Sequence, residues 1–101
     1  MTDLITIANH FGGARNIRGL GSCIEMCKCR IGILDLCLVW VHNTSINCES
    51  VYIMRNEVTS FVPVSWIRHN CIFSFEDYIT TDEVIKMIDD NVALINSRAM
   101  T

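Results

Sequence analysis

Between Ile31 and Val41 the chain reads IGILDLCLVWV, almost continuously apolar and closing on Leu38-Val39-Trp40-Val41. A short run of this kind, ending in β-branched and aromatic residues, marks a central strand buried on both faces. Such a strand needs partners beside it and cover upon it, so the chain must build a sheet with at least one packed layer. The run contains Gly32 and Asp35 and falls well short of the ~20 residues that span a bilayer. No membrane association is expected.

The neighbouring segments supply the partners. Cys23 to Arg30 reads CIEMCKCR, and Cys23, Cys27 and Cys29 are all odd-numbered. Along an extended chain they share one face, continued by Ile31, while Lys28 and Arg30 share the other. Gly32 then marks a bulge or turn. His42 to Ser45 is a polar turn, and Val51 to Arg55 forms another short strand. Asn56-Glu57 sits where a tight hairpin turn would fall, so Val58 to Val64 is expected to return as a strand. Pro63 lacks an amide donor and places that strand at an edge or ends it. Arg68 to Asn70 turns again, and Cys71 to Phe75 is the last strand.

Helical spacing appears at both ends. Leu4, Ile7, Ala8 and Phe11 recur at helical intervals before Gly12-Gly13, a stop signal. The glycine-rich stretch to Gly21 reads as a loop. Near the C-terminus, Thr80 and Thr81 are natural N-caps, and Thr80 with Glu83 has capping-box spacing. Val84, Ile85, Ile88, Val92 and Ile95 then form one apolar stripe. The sum is a single α+β domain over residues 1–101. It is a small, mainly antiparallel sheet of about four strands, with a C-terminal helix packed on it and a short N-terminal helix.

Composition bears on function more than on fold. Half of the 101 residues are hydrophobic and 19% are charged. A domain this small leaves much apolar area on its surface, which implies contact with a second copy or a partner protein. Eight Lys and Arg against eleven Asp and Glu give a net charge of −3, which disfavours general nucleic-acid binding. The basic residues Arg15, Arg18, Lys28 and Arg30 lie early, whereas Glu76, Asp77, Asp82, Glu83, Asp89 and Asp90 crowd the end. The start, MTDLITIANH, lacks a basic n-region, so a soluble intracellular protein with reduced thiols is expected, in cytoplasm or nucleus. On that reading the Asn43-Thr44-Ser45 sequon carries no glycan.

The cysteines admit two readings. As zinc ligands, Cys23, Cys27, Cys29 and His42 could be drawn into a Cys3His set, but the order C-x3-C-x-C matches no common zinc module and contains no CxxC. As strand residues, the thiols fill a core face with a basic face behind them. The second reading is favoured, and no cofactor is expected. Gly19-x-Gly21 lacks the third glycine of a dinucleotide loop, and no P-loop lysine follows any glycine. His10, His42 and His69 stand apart from any assembled nucleophile. Trp66, with Arg68 beside it, is the candidate interface anchor; a plain core tryptophan is at least as good a reading of Trp66.

The stretch Gly12-Gly13-Ala14-Arg15-Asn16-Ile17-Arg18-Gly19 resembles a short segment in the nuclear shuttle proteins of nanoviruses, small single-stranded DNA viruses of plants. There a similar G-x-x-R-N-V-R-G run precedes a strand. The likeness covers these eight residues and implies a viral accessory protein, with nucleic-acid contact by Arg15 and Arg18. Two functions are therefore expected. The first is a non-enzymatic accessory or interaction protein that works through apolar surface, pairing with itself as a homodimer and with a partner protein. The alternative is a cysteine-rich nucleic-acid-binding module using Arg15, Arg18, Lys28 and Arg30.

Overall fold

The computed structural model describes residues 2–58, 60–76 and 80–101. Helix α1 (Leu4–His10) is followed by a single 3-10 turn (Ala14–Asn16). Strands β1 (Arg18–Gly19), β2 (Ile24–Ile31), β3 (Leu34–Asn43) and β4 (Cys48–Met54) come next. Helix α2 (Val64–Asn70), strand β5 (Phe73–Phe75) and helices α3 (Thr81–Asp90) and α4 (Val92–Ala99) complete the chain. The five strands lie in sequence order, β1-β2-β3-β4-β5, each antiparallel to the next. The fold is α+β, with one strand more than the four expected. None of the described helices is long and apolar enough to cross a membrane.

Strand β3 is buried on both faces, as its composition requires: Leu36, Cys37, Leu38 and Val39 are all buried. Its even-numbered side chains join Cys27, Cys29 and Ile31 of β2, Val51 and Ile53 of β4, and Phe75 of β5. Over this face lie Leu4, Ile7 and Ala8 of α1, Val84 and Ile88 of α3, and Ile95 of α4. The Thr80 side chain accepts from the Glu83 N–H and starts α3 as expected. Asn91 breaks the C-terminal stripe into two helices, its side-chain amide donating to the Met87 carbonyl at 2.6 Å.

The turn from β2 to β3 is tied to α4 by one buried side chain. Asn96 donates from Nδ2 to the Ile31 carbonyl (2.9 Å) and accepts the Ile33 N–H on Oδ1 (3.2 Å). Gly32 between them has φ +63°, and a side chain there would run into Asn96 Oδ1 and lie 2.7 Å from Val92 Cγ1. The outer margin of β2 is closed in a similar way. The Arg30 N–H donates to the Phe11 carbonyl (3.0 Å), and Gly13 lies so near that a Cβ would strike the Lys28 carbonyl and sit 2.9 Å from Cys29 Cβ.

The second face carries Ile24, Met26, Cys37, Val39, Val41, Tyr52 and Met54, covered by Leu20, Val58 and Ile67. Here the structure corrects the sequence reading. Among the described residues of 58–64 none pairs into the sheet, and Asn56-Glu57 is not a hairpin turn; instead Val58, Val62 and Val64 pack on the second face. Arg18 holds the first of them there, donating to the Val58 carbonyl at 2.9 Å and pairing with Glu57 at 3.0 Å. Pro63, extended at φ −62° and ψ 147°, stands at the N-cap of α2, and its carbonyl accepts the Trp66 and Ile67 N–H groups. A residue without an N–H is at no disadvantage at a helix start. Arg68 to Asn70, expected as a turn, is the last turn of this helix. Thr59 of the expected strand and Asp77 of the acidic group lie outside the described residues.

Candidate functional site

Helix α2 has one buried side chain, Ile67, so it stands on the second face rather than sinking into it. Between α2 and the sheet runs a groove of about 500 Å³. Ile24, Val41, Ser50 and Tyr52 rise from the strands into it, and Val64 and Arg68 line it from α2. Val64 and Arg68 are four apart and so share one side of the helix. Two apolar side chains stand at the rim: Ile46, in the β3–β4 turn, is 61% exposed, and Phe61, on the approach to α2, is 69% exposed. A side chain at Gly21 would touch the Phe61 ring, so that ring rests against the loop entering β2. Single exposed apolar residues are ordinary, whereas two on the lip of one depression, lined by polar and apolar side chains together, are a candidate contact surface.

One polar cluster forms a wall of the groove. Tyr52 Oη donates to Glu76 Oε1 at 2.6 Å, and Arg68 Nε donates to the same oxygen at 2.9 Å. Arg68 Nη2 also lies 3.5 Å from Tyr52 Oη. The Arg68 guanidinium and then the Tyr52 hydroxyl hold the Glu76 carboxyl below the usual carboxylate range. Burial, followed by the hydrogen bond to Glu76, pushes the Tyr52 phenol up. The cluster is therefore a neutral tyrosine and a balanced ion pair at neutral pH, which suits positioning α2 rather than proton transfer.

Glu49 is a second carboxylate with a lowered pKa. Burial opposes its charge, but hydrogen bonds from Trp40 Nε1 (3.1 Å) and the Thr2 N–H (2.6 Å) outweigh it. A depressed folded-state pKa contributes stability above the ordinary carboxylate range and loses it as pH falls through the folded value. Urea midpoints are thus expected to be flat near neutrality and to fall below the ordinary glutamate range. The Glu76→Gln variant should show a shallower fall; an unchanged acid limb would mean that Glu76 contributes nothing. Because Arg68 and Glu76 are both more than a third exposed, the difference is expected to be modest.

The candidate residues from the sequence are scattered. Cys27 and Cys29 are buried in the core beneath the helices, and the adjoining Cys27 thiol together with burial pushes Cys29 far up. Cys37 is buried on the other face, and burial pushes its thiol up to about 11. Cys23 is half-buried at φ 62°, just before β2. Its carbonyl accepts the His42 N–H, while the His42 ring pairs through Nε2 with Asn47 Oδ1 at 3.2 Å. Among the described residues no group of three or more His, Cys, Asp or Glu is placed to hold a metal ion, so Cys23, Cys27, Cys29 and His42 are not gathered into a site. Cys27 and Cys29 lie on the inner face of β2 as expected, whereas Cys23, expected on the same face, stands before the strand in a left-handed conformation and outside that core.

The basic residues do not converge either. Arg18 is spent on Glu57 and Val58, and Arg30 pairs with Asp35 across the hairpin at 3.3 Å. Lys28 and Arg30 border a shallow depression with Gly12 and Asn16, and Arg15 is exposed in the 3-10 turn. Of the expected interface pair, Arg68 lines the groove, whereas Trp66, 46% exposed on α2, does not.

Ile46, Ser50, Tyr52 and Phe61 went unmarked as site residues in the sequence, and Glu76 entered only as one of the acidic residues near the end. Only Phe61 carried a local signal, a large apolar residue between Ser60 and Val62-Pro63; the others meet through tertiary structure alone. No family model, no curated protein and no solved structure matches the chain.

Proposed function

We propose that the chain is a non-enzymatic interaction protein whose working surface is the groove between α2 and the sheet. One observation carries this reading: two largely exposed apolar side chains, Ile46 and Phe61, border a groove whose lining includes Ile24, Val41 and Val64. Removing such apolar surface from water is favourable at about 25 cal/mol per Å², and aromatic side chains are frequent anchors of binding energy. An intracellular setting agrees with six free cysteines, since oxidising compartments favour disulfides.

The test is selection of random peptides displayed on phage against the immobilised protein, with the groove-filling variant Ser50→Phe as the counter-target. Peptides rich in apolar residues are expected to be enriched on the wild type and lost on the variant. Equal recovery on both, with the variant folded, overturns the reading.

A further inference from the structure

We infer that α2 is a lid on the second face. With its flanks, residues 60–71, it lifts from the sheet as one unit between two fixed points while the rest of the domain stays packed. The groove is whole only when the lid is down, since Val64 and Arg68 line it from α2. For that consequence the inference rests on the groove being the working surface; the lifting itself does not.

The hold on α2 is slight beside that on the helices of the first face. A helix of seven residues is too short to persist without packing. Helix α1 buries Leu4, Ile7 and Ala8, and α3 buries Val84 and Ile88. Each begins on a side-chain cap, Asp3 and Thr80 respectively. They are also tied to one another, because the Asp3 N–H donates to Thr81 Oγ1 at 2.8 Å and His10 Nε2 lies 2.8 Å from Asp89 Oδ2. By contrast, α2 buries Ile67 alone, and its N-cap, Pro63, supplies no side-chain bond. Among the described residues, the side chains of α2 reach polar groups outside the helix through Arg68 only, at Glu76 and Tyr52. Arg68 and Glu76 are both more than a third exposed, which makes that latch a weak one.

The two ends are firm. Upstream, Arg18 holds the Val58 carbonyl and pairs with Glu57. Downstream, the Ile72 N–H donates to the Ile53 carbonyl at 2.9 Å, just before β5 begins at Phe73. A segment with little buried surface between well-held flanks opens before the whole domain does. Lifting takes Val62, Val64 and Ile67 off the second cluster and leaves the first cluster, under α1, α3 and α4, as it stands. An occupant that touches both walls of the groove binds the closed state alone, and so holds the lid down.

The experiment is native-state amide exchange of the full chain, read residue by residue by NMR. The Ile67 and Cys71 amides, which donate to the Pro63 and Ile67 carbonyls, are expected to share one protection factor. That factor should lie at least about a hundredfold below the value in α3. Arg68→Ala should lower it by about two- to fivefold and leave α3 unchanged. Glu76→Gln, which removes the charge and keeps the shape, should act in the same direction. Equal protection of α2 and α3 overturns the inference, because α2 would then open only with the whole domain. A gradient from Ile67 to Cys71 also overturns it, as fraying from one end, and so do folded variants that leave α2 unchanged or loosen α3 equally. A chain that shows these rates but captures no peptide keeps the lid and loses the groove as its working surface.

Discussion

Replacing Gly32 with alanine is expected to lower the stability by about 2–5 kcal/mol, the sum of two separate costs. The first is conformational: at φ +63° an L-residue carries roughly 1–2 kcal/mol of strain that glycine avoids. The second is steric, since the new methyl would collide with Asn96 Oδ1 and Val92 Cγ1. To make room, Asn96 must give up the Ile33 N–H, and a buried polar group left unpaired costs about 1–3 kcal/mol. For a domain whose whole stability is about 5–15 kcal/mol, the melting temperature should fall by more than about 10 °C. Asn96→Ala, which keeps the turn residue, isolates the hydrogen-bonding part. Because both changes act on one clamp, the double variant should lose less than the sum of the two. Thermal melts of the three proteins check this, and a Gly32→Ala protein as stable as wild type would mean that α4 does not bear on the hairpin.

Ile67→Ala is expected to have an effect of the same size by a different route. Ile67 is fully buried and is the one buried residue of α2, so its truncation removes the helix's apolar hold on the sheet. Truncations of this kind cost about 2–5 kcal/mol. The loss should be local as well as global. The cluster that holds Ile67 is separate from the one beneath α1, α3 and α4, so α2 is expected to open while the other face stays packed. Hydrogen exchange should then speed up in Val64–Asn70 and scarcely change in α3. Since Val64 and Arg68 ride on the same helix, peptide capture should fall with it. Uniform acceleration across both faces would show instead that the two clusters unfold as one.

Elements with a local signature were legible in the sequence. The spacing of Leu4, Ile7 and Ala8, the Thr80–Glu83 cap, the turn at Gly32 and the inward Cys27 and Cys29 are all patterns held within a few residues. The failures are nonlocal. VTSFVPV alternates well enough for a strand, but Arg18, forty residues earlier, takes the Val58 carbonyl and holds Val58 on the second face. Strand β1 is two residues long, too short for any period to register. The groove was the least legible feature, because its lining runs from Ser22 to Glu76 through several separate elements. Arg68 was marked by residue type alone, and Trp66, marked by the same rule, turned out to lie elsewhere.

The close approach of Gly13 to the Lys28 carbonyl has a consequence for assembly. A sheet with two bare margins can recruit neighbours indefinitely and grow into a ribbon. Here the chain folds its own start over one margin, with the Phe11 carbonyl taking the Arg30 N–H that an incoming strand would need. Any stack built through that side would have to displace this fold-back first. Growth of the sheet through that side is thereby blocked for as long as Gly13 lets the fold-back lie this close to β2.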